Sequence, residues 1–410
     1  MEPTVQVLAA QHLLLVCAIV LGAGAVLAYV ANRIGIPDIV LFLLAGLGLG
    51  PAGAGLIDVG AGSTANQLIL LFGASYILFD GGAVMRVVVL KRVWMTVAAL
   101  ATLGVAMTTA VIGVAVHYVF GLPLYAALLT GSVIASTDPA TLVPVFRQVK
   151  VRERLKQAVI AESAFNDAIA AILTFTLLTL AGGGEVSVLQ AAGEFLWQAL
   201  GGVAVGAVAG YAACFAIAHE RLSFLRENLP LVTLVVVAGA VLTADHHHAS
   251  GFMAVFVAGL CLGNKQLLGF AINPEEERQM EDFIGTTGLI MRMFIFMLLG
   301  AQTDISLLAR YALPAVAVVT TLMFVARPLV IAVCAVPDRR AQWSISELVF
   351  LCWTRETGVI PAALAGMLVG VHAPYADVIA AVTFMAVLLT IPIQAASTPW
   401  LARRLGVLEN

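Results

Sequence analysis

Long apolar runs are the feature that most limits what this chain can fold into. A helix that crosses about 30 Å of hydrocarbon needs about 20 apolar residues, whereas membrane strands alternate over segments of about 10 residues. The runs here are long and unbroken, so the sequence predicts an all-α polytopic membrane protein with about thirteen transmembrane helices. The predicted spans are residues 12–32, 36–51, 65–83, 93–118, 123–141, 157–181, 191–218, 229–244, 250–264, 283–302, 312–336, 347–371 and 377–398.

Composition excludes several classes of protein. Hydrophobic residues make up 61% of the 410 residues and charged residues 11%, against about 45–50% and about 25% in soluble globular chains. Too few polar side chains remain to cover a water-soluble particle of this size, so a soluble enzyme and a disordered protein are excluded. The net charge of −3 offers no basic surface for nucleic acid. We therefore expect membrane lipid, and no nucleic acid, as a partner.

The basic residues predict the orientation. With thirteen spans and the N-terminus outside, seventeen of the 21 lysines and arginines fall in loops on the inner side and one, Arg310, on the outer side. Cytoplasmic loops carry the excess of positive charge, so we expect a multi-pass protein of the cytoplasmic (inner) membrane with its C-terminus inside. Residues 1–410 are predicted to form one membrane domain without a soluble regulatory domain. Its inverted halves would be 12–181 and 229–398, with the span at 191–218 as connector.

Six charged residues lie deep inside the predicted spans. A charge at mid-membrane costs at least about 2.5–3.5 kcal/mol on insertion scales, so it usually marks a function or a partner. Structural ion pairs between helices are the alternative interpretation, which is strongest for Arg327 and Glu356 taken alone. The six residues are Asp138, Glu162, Asp167, Arg327, Arg355 and Glu356.

The fifth span contains a predicted helix break. Pro139 follows Thr137 and Asp138, and proline removes a backbone donor and disfavours helix in the residue before it. We expect the helix to break near Thr137 and Asp138 and to start again at Pro139 and Ala140. A break frees carbonyl groups, which suit a hard monovalent cation, and such backbone is tolerated in membranes only where it is buried or lines a cavity.

The sixth span carries a polar stripe. At 100° per residue, Glu162, Ser163, Asn166 and Asp167 fall on one helix face. Hydrogen-bonded helix packing is the alternative interpretation of such a stripe. Two carboxyl groups on the stripe favour a functional site instead.

The twelfth span has a similar interruption. Gly358 and Pro361 follow the charges of Arg355 and Glu356, which predicts a second helix break. The fifth and twelfth spans are seven apart in the count. This odd offset gives them matching positions in two halves of inverted topology. Interrupted helices at such positions are the best sequence indication of a transporter's central site.

These motifs resemble those of NhaP-type sodium/proton antiporters, which belong to the monovalent cation:proton antiporter-1 family. The specific motifs are Ser136-Thr137-Asp138-Pro139 and Glu162-Ser163-Ala164-Phe165-Asn166-Asp167. Weaker similarities are the glycine-rich stretch 44–51, the stretch 250–260 and Arg327-Pro328. The resemblance extends over essentially the whole chain. It implies a homodimer with a core built around two crossed, unwound helices, the fifth and twelfth spans.

The resemblance also implies roles for individual residues. Asp167 would be the carboxylate that exchanges a proton for a cation. Asp138, Ser163 and the carbonyl of Thr137 would hold the cation, Na⁺, or shape its site. Asn166 stands beside Asp167 where electrogenic relatives carry a second aspartate.

Three further charges have implied roles at the edge of this site. Glu162 would pair with an arginine, and Arg355 matches the family's arginine in the second unwound helix. Glu356 stands where relatives usually have glycine. It could partner Arg327 or Arg355, or add a polar group to the cation path.

A buried carboxyl accounts for exchange in physical terms. An exposed aspartate, with a pKa near 3.9, is ionised at neutral pH; burial disfavours the charged form, and a bound cation favours it. Proton and cation therefore compete for Asp167. One exchanging carboxyl predicts one proton per cation and electroneutral transport, with no cofactor besides the transported ions.

Other functions stay open at this point. A K⁺-selective antiporter or a cation channel could use the same carboxylates, but a channel would conduct without proton coupling. The choice between Na⁺, Li⁺ and K⁺ also stays open. An intramembrane hydrolase would need a nucleophile with a base, or a metal motif, and the sequence has no HExxH or GxSxG. We therefore expect no enzyme activity.

Overall fold

The structure is a computed structural model that describes residues 5–34, 36–138, 146, 149–181, 188–219, 224 and 228–409. Within these ranges, nine helices are long and apolar enough to cross a membrane, and four apolar helices are shorter. The nine and the four correspond one to one with the thirteen predicted spans. The predicted fold class is thereby confirmed. The division into two halves joined by a connector stays a prediction.

The helices are numbered in chain order. They are α1 (Val5–Ile34), α2 (Asp38–Leu49), α3 (Thr64–Val84), α4 (Trp94–Phe120), α5 (Leu124–Val133), α6 (Glu153–Ala181), α7 (Val188–Ala218), α8 (Leu229–His246), α9 (Gly251–Gly263), α10 (Pro274–Ala301), α11 (Ile305–Cys334), α12 (Ile345–Trp353), α13 (Val359–Gly370) and α14 (Ala376–Leu405).

Two helices are longer than the apolar runs that predicted them. α10 begins at Pro274, nine residues before the predicted span, because proline suits the first turn and three glutamates there complement the helix dipole. α14 continues to Leu405, where Arg403 and Arg404 occupy the last turn and Gly406 ends the helix with φ +65°. The length of an apolar run indicates only the part of a helix that lies inside the membrane. Polar ends of the same helix extend beyond that run.

The outer surface of the helices suits lipid. Large apolar side chains are strongly exposed along their length, for example Leu14 (72%), Val208 (72%) and Leu313 (81%). Contiguous exposed apolar surface of this kind marks a membrane or protein contact. The chain is a multi-pass membrane protein.

Two helix pairs pack backbone against backbone. A Cβ atom on Gly82 of α3 would collide with the carbonyl of Phe256 in α9, and one on Gly259 would collide with the carbonyl of Phe79. Gly46 of α2 and the facing part of α10 meet in the same way. Small residues allow such close approach between membrane helices. The α3–α9 pair packs beside α6, which carries the predicted polar stripe.

Candidate functional site

Two spans are interrupted, and the two interruptions cross. Backbone after α5 leaves the helix at residues 134–138, here called the first segment, and residues 354–358 between α12 and α13 form the second segment. The backbone N–H of Asp138 donates to the carbonyl of Glu356 at 2.9 Å. The predicted restart of the helix at Pro139 and Ala140 lies outside the described residues.

Each segment places a charged side chain at a helix end of the other. Asp138 Oδ2 lies 3.4 Å from the backbone N of Val359, at the N-terminus of α13. Arg355 Nη2 donates to the carbonyls of Ile134 at 3.3 Å and Ala135 at 2.8 Å, at the C-terminus of α5. Anions are favoured at helix N-termini and cations at C-termini. Because Arg355 binds these carbonyls, α5 ends at Val133 rather than near Thr137 and Asp138 as predicted.

Gly358 leaves space for this arrangement. A Cβ atom on Gly358 would fall on the carboxylate and Cβ of Asp138. Gly358 was predicted only as a helix breaker. Its second role, which is to admit the side chain of Asp138, depends on a contact across 220 residues of chain.

The polar stripe of α6 holds the first segment at Thr137. Asn166 Oδ1 accepts the backbone N–H of Thr137 at 3.2 Å, and Asn166 Nδ2 donates to Thr137 Oγ1 at 2.9 Å. The hydroxyl of Ser163 donates to the carbonyl of Thr137. The stripe and the first segment, which were predicted separately, therefore form one site.

Asp167 is the middle residue of the 29-residue helix α6. Its side chain is 6% exposed, and Oδ1 has no hydrogen-bond partner among the described residues. Asp138 is equally buried and close enough for the two carboxylate charges to interact. A buried polar atom without a partner is rare, and two interacting carboxylates are relieved by a cation or by a proton. The arrangement can therefore hold either one.

The ion pair of Glu162 differs from the expectation. Both terminal guanidinium nitrogens of Arg327, Nη1 and Nη2, contact the carboxylate, with Nη2 at 3.0 Å from Oε2. The expected pairing of Glu162 with an arginine is present, but the partner is Arg327 and not Arg355, whose guanidinium is turned toward the end of α5. Arg327 also donates from Nε to the carbonyl of Leu351 at 2.9 Å, so it binds the C-terminus of α12 as Arg355 binds that of α5.

Glu356 is fully buried, with 0% exposure. Neither of its carboxylate oxygens has a hydrogen-bond partner within the described ranges. Neither arginine forms an ion pair with it there. The pairing alternatives for Glu356 are thus not realised, and its contribution to a cation path stays a prediction.

One supporting residue was missed at the sequence level. Thr390 Oγ1 accepts the backbone N–H of Thr357 at 3.0 Å and donates to the carbonyl of Ala386. It fixes the second segment to α14. A threonine inside an apolar span usually bonds only within its own helix, so the contact left no signal in the sequence.

Comparisons with known proteins agree with this geometry. The profile of the transmembrane sodium/hydrogen exchanger family matches residues 19–404. Probable Na⁺/H⁺ antiporter 2 of Methanocaldococcus jannaschii is 31% identical over 363 residues, covering 85% of this chain and 82% of that protein. The K⁺/H⁺ antiporter NhaP of Alkalimonas amylolytica is 31% identical over 343 residues, covering 82% of this chain but 57% of that protein.

A solved structure extends the likeness to the whole fold. The sodium proton antiporter MjNhaP1 from Methanocaldococcus jannaschii superimposes with a TM-score of 0.79 at 29% identity, over 92% of this chain and 97% of that chain. The chain therefore belongs to the transmembrane sodium/hydrogen exchanger family.

Proposed function

We propose that the protein exchanges a monovalent cation for a proton across the membrane by alternating access. The observation that carries the proposal is the position of Asp167, which is buried at the middle of a membrane helix and has a carboxylate oxygen without a hydrogen-bond partner among the described residues. An ionisable group in that position is rare in membrane helices and typical of ion and proton pathways.

Asp167 is the exchanging carboxylate in this proposal. Asp138, the carbonyl of Thr137 and the hydroxyl of Ser163 hold the cation with it or shape its site, and these are the oxygen ligands that hard cations prefer. Proton and cation compete because either one neutralises Asp167. An empty, charged site is costly to move through the membrane, so only a loaded site crosses.

The surrounding residues act as support. Asn166 fixes the Thr137 peptide, while Glu162 and Arg327 neutralise each other beside the crossing. Arg355 compensates the end of α5. The exchange is electroneutral, with one proton per cation, because Asn166 adds no second titrating carboxyl next to Asp167.

Sodium is the proposed substrate, with Li⁺ as a further one. Potassium is the main alternative, since relatives named as Na⁺/H⁺ antiporters and as K⁺/H⁺ antiporters match with similar identity. A cation channel would need conduction without proton coupling. We propose no catalytic activity and no bound cofactor.

The membrane location, orientation and oligomeric state of the protein are proposed from its charge pattern and its relatives. Seventeen basic residues on one side place that side in the cytoplasm. The protein would be a homodimer in the cytoplasmic membrane, with the N-terminus outside and the C-terminus inside. Its physiological role would be control of internal pH and cation content.

Reconstitution in liposomes tests the proposal. An imposed pH gradient is followed with a fluorescent pH reporter while Na⁺, Li⁺, K⁺ or choline is added. We expect alkali ions to dissipate the gradient, choline to have no effect, and clamped voltage to change nothing. Asp167→Asn should reduce the rate at least about 100-fold. Asp304→Asn is the matched control, because Asp304 is an exposed helix cap.

Two results would overturn parts of the proposal. An Asp167→Asn protein that still exchanges would remove Asp167 from its central role. A transport current, or a rate that follows the membrane potential, would contradict electroneutral stoichiometry.

A further inference from the structure

A cavity that is partly lined by polar side chains faces α6, away from the crossing. A cavity of about 300 Å³ separates α6 from α3, α7, α8 and the start of α9. Its lining includes Ile172, Phe175, Gln198, Asp245 and Ser250. None of these residues belongs to the site described above.

The cavity lies on the outer side of Asp167. Ile172 and Phe175 are five and eight residues further along α6, which places them about 7.5 Å and 12 Å beyond Asp167 along the helix axis. Phe175 stacks on Phe252 of α9, with ring centroids 6.4 Å apart. Both rings line the cavity. They join α6 to α9 at a level between the outer end of α6 and Asp167.

Asp245 is the only carboxylate among the described residues that line the cavity. Within the described ranges its carboxylate forms no ion pair, and the histidines at 246–248 follow it along the chain. Its Oδ1 lies beside Gly251, in the first turn of α9, where the positive helix end favours an anion. The cavity thus contains a carboxylate that no cationic side chain neutralises.

The charge around this cavity favours cations. In the proposed orientation the outer loops contain one lysine or arginine, Arg310, and the histidines at 246–248 next to Asp245 count as neutral at pH 7, so little positive charge opposes Asp245. A cleft that carries charge of one sign between apolar walls focuses the electric field and raises the local concentration of ions of the opposite charge. Leu71, Ile172 and Phe175 supply such walls here.

We propose that this cavity is an outer vestibule in which Asp245 captures a monovalent cation on its way to or from Asp167. The Phe175–Phe252 pair closes the vestibule toward Asp167 in the present conformation. The inference rests on the proposed cation/proton exchange and adds an entry site to it. Asp245 contacts the cation before or after the exchange step and takes no part in proton competition at Asp167.

Side-specific kinetics test this assignment. Exchange is measured with ²²Na⁺ in right-side-out and in inverted membrane vesicles that contain the full chain. Asp245→Asn should raise the KM for external Na⁺ about three- to tenfold at low ionic strength, and less in 0.5 M choline chloride because salt screens the charge. The KM for internal Na⁺ should stay within about twofold. Asp304→Asn, a second outer acid that only caps its own helix, should change neither KM.

Restoring a negative charge at another lining position distinguishes a loss of cation capture from a folding defect. Gln198 lines the same cavity, and its structural bond to Ser250 uses only the backbone carbonyl. In the double variant Asp245→Asn with Gln198→Cys, an impermeant negatively charged methanethiosulfonate should bring the external KM back toward that of the parent. A positively charged reagent should raise it further. The Asp245→Asn protein treated in the same way controls for the five native cysteines.

The outcomes separate this proposal from the proposed function. If wild-type vesicles show no cation-driven proton movement, the exchange function itself is wrong. If wild type exchanges but Asp245→Asn leaves the external KM unchanged, or raises both KM values equally, the vestibule is wrong and the exchange function is not. A folding defect would lower the rate without rescue by the negative reagent, which also rejects the proposal.

Discussion

The two unwound segments cross at one point, but different chemistry holds each of them. The first is fixed at Thr137 by neutral hydrogen bonds from α6. The second is held at its start by Arg327, which is paired with Glu162 and lies 3.5 Å from the carbonyl of Thr354, and near its end by the neutral bond from Thr357 to Thr390. A neutral hydrogen bond contributes about 0.5–1.5 kcal/mol net, whereas breaking a buried ion pair costs about 3–5 kcal/mol. At Thr137 the first segment is therefore the more adjustable, while the charged Arg355 holds its start at Ile134 and Ala135 and the ion-paired Arg327 holds the start of the second segment.

The largest expected effect is on the second segment. Arg327→Met leaves the carboxylate of Glu162 buried without a counter-charge, so we expect a loss of about 3–5 kcal/mol in stability. Thermal unfolding in detergent measures it as a lower Tm. Arg327→Met combined with Glu162→Leu should recover much of the loss, because no buried charge remains. A single variant as stable as wild type would reject the contrast between the segments.

Gly358→Ala tests the contact between the segments. The new methyl group would overlap the carboxylate of Asp138, and overpacking of this kind costs about 1–3 kcal/mol. We expect a lower Tm and a strongly reduced exchange rate. Gly285→Ala is the control, because a Cβ atom there has open space and alanine favours helix. Equal Tm values for the two variants would show that the crossing tolerates more movement than its geometry suggests.

Asn166→Ala tests the first segment. It removes both hydrogen bonds to Thr137, so we expect a stability loss of about 1–2 kcal/mol. The KM for the cation should rise about tenfold, because the Thr137 carbonyl loses its fixed position. Asn228→Ala, which loses one exposed bond to Phe224, should change neither quantity. A variant that loses stability but keeps its KM would show that Asn166 supports the fold and does not shape the cation site.

The smallest expected effect is at Thr390. Thr390→Val leaves the backbone N–H of Thr357 without its acceptor, which costs about 1 kcal/mol. The exchange rate should fall less than about threefold. Thr320 makes the same intrahelical bond but faces outward, so Thr320→Val is a matched control with no expected change in Tm. A larger effect on transport than that of Asn166→Ala would reverse the assignment of the two segments.

The number of helices was predictable because the membrane imposes a length. All thirteen spans were located from apolar runs, but α10 begins at Pro274 and α14 ends at Leu405, beyond the runs. Polar residues that continue a helix outside the membrane leave no trace in hydrophobicity. Capping signals at these ends, such as Pro274 and Gly406, carry the missing information.

The composition of the site was predictable, but its pairing was not. Helical spacing placed Ser163, Asn166 and Asp167 on one face, and the Thr-Asp-Pro motif indicated the break they would meet. Nothing along the chain distinguishes Arg327 from Arg355 as the partner of Glu162. That choice depends on which helix C-terminus each guanidinium reaches, and this is settled only when the two segments cross.

The glycine contact between α3 and α9 has a consequence for movement. Gly82 and Gly259 interlock the two backbones, so these helices cannot slide along each other without separating. Between α6 and α9 the contact is made by aromatic side chains, Phe165 on Phe256 and Phe175 on Phe252, which can change partners along the axis. During the transport cycle we expect α6 to slide past α9 along this aromatic contact, while α3 and α9 keep their positions relative to each other.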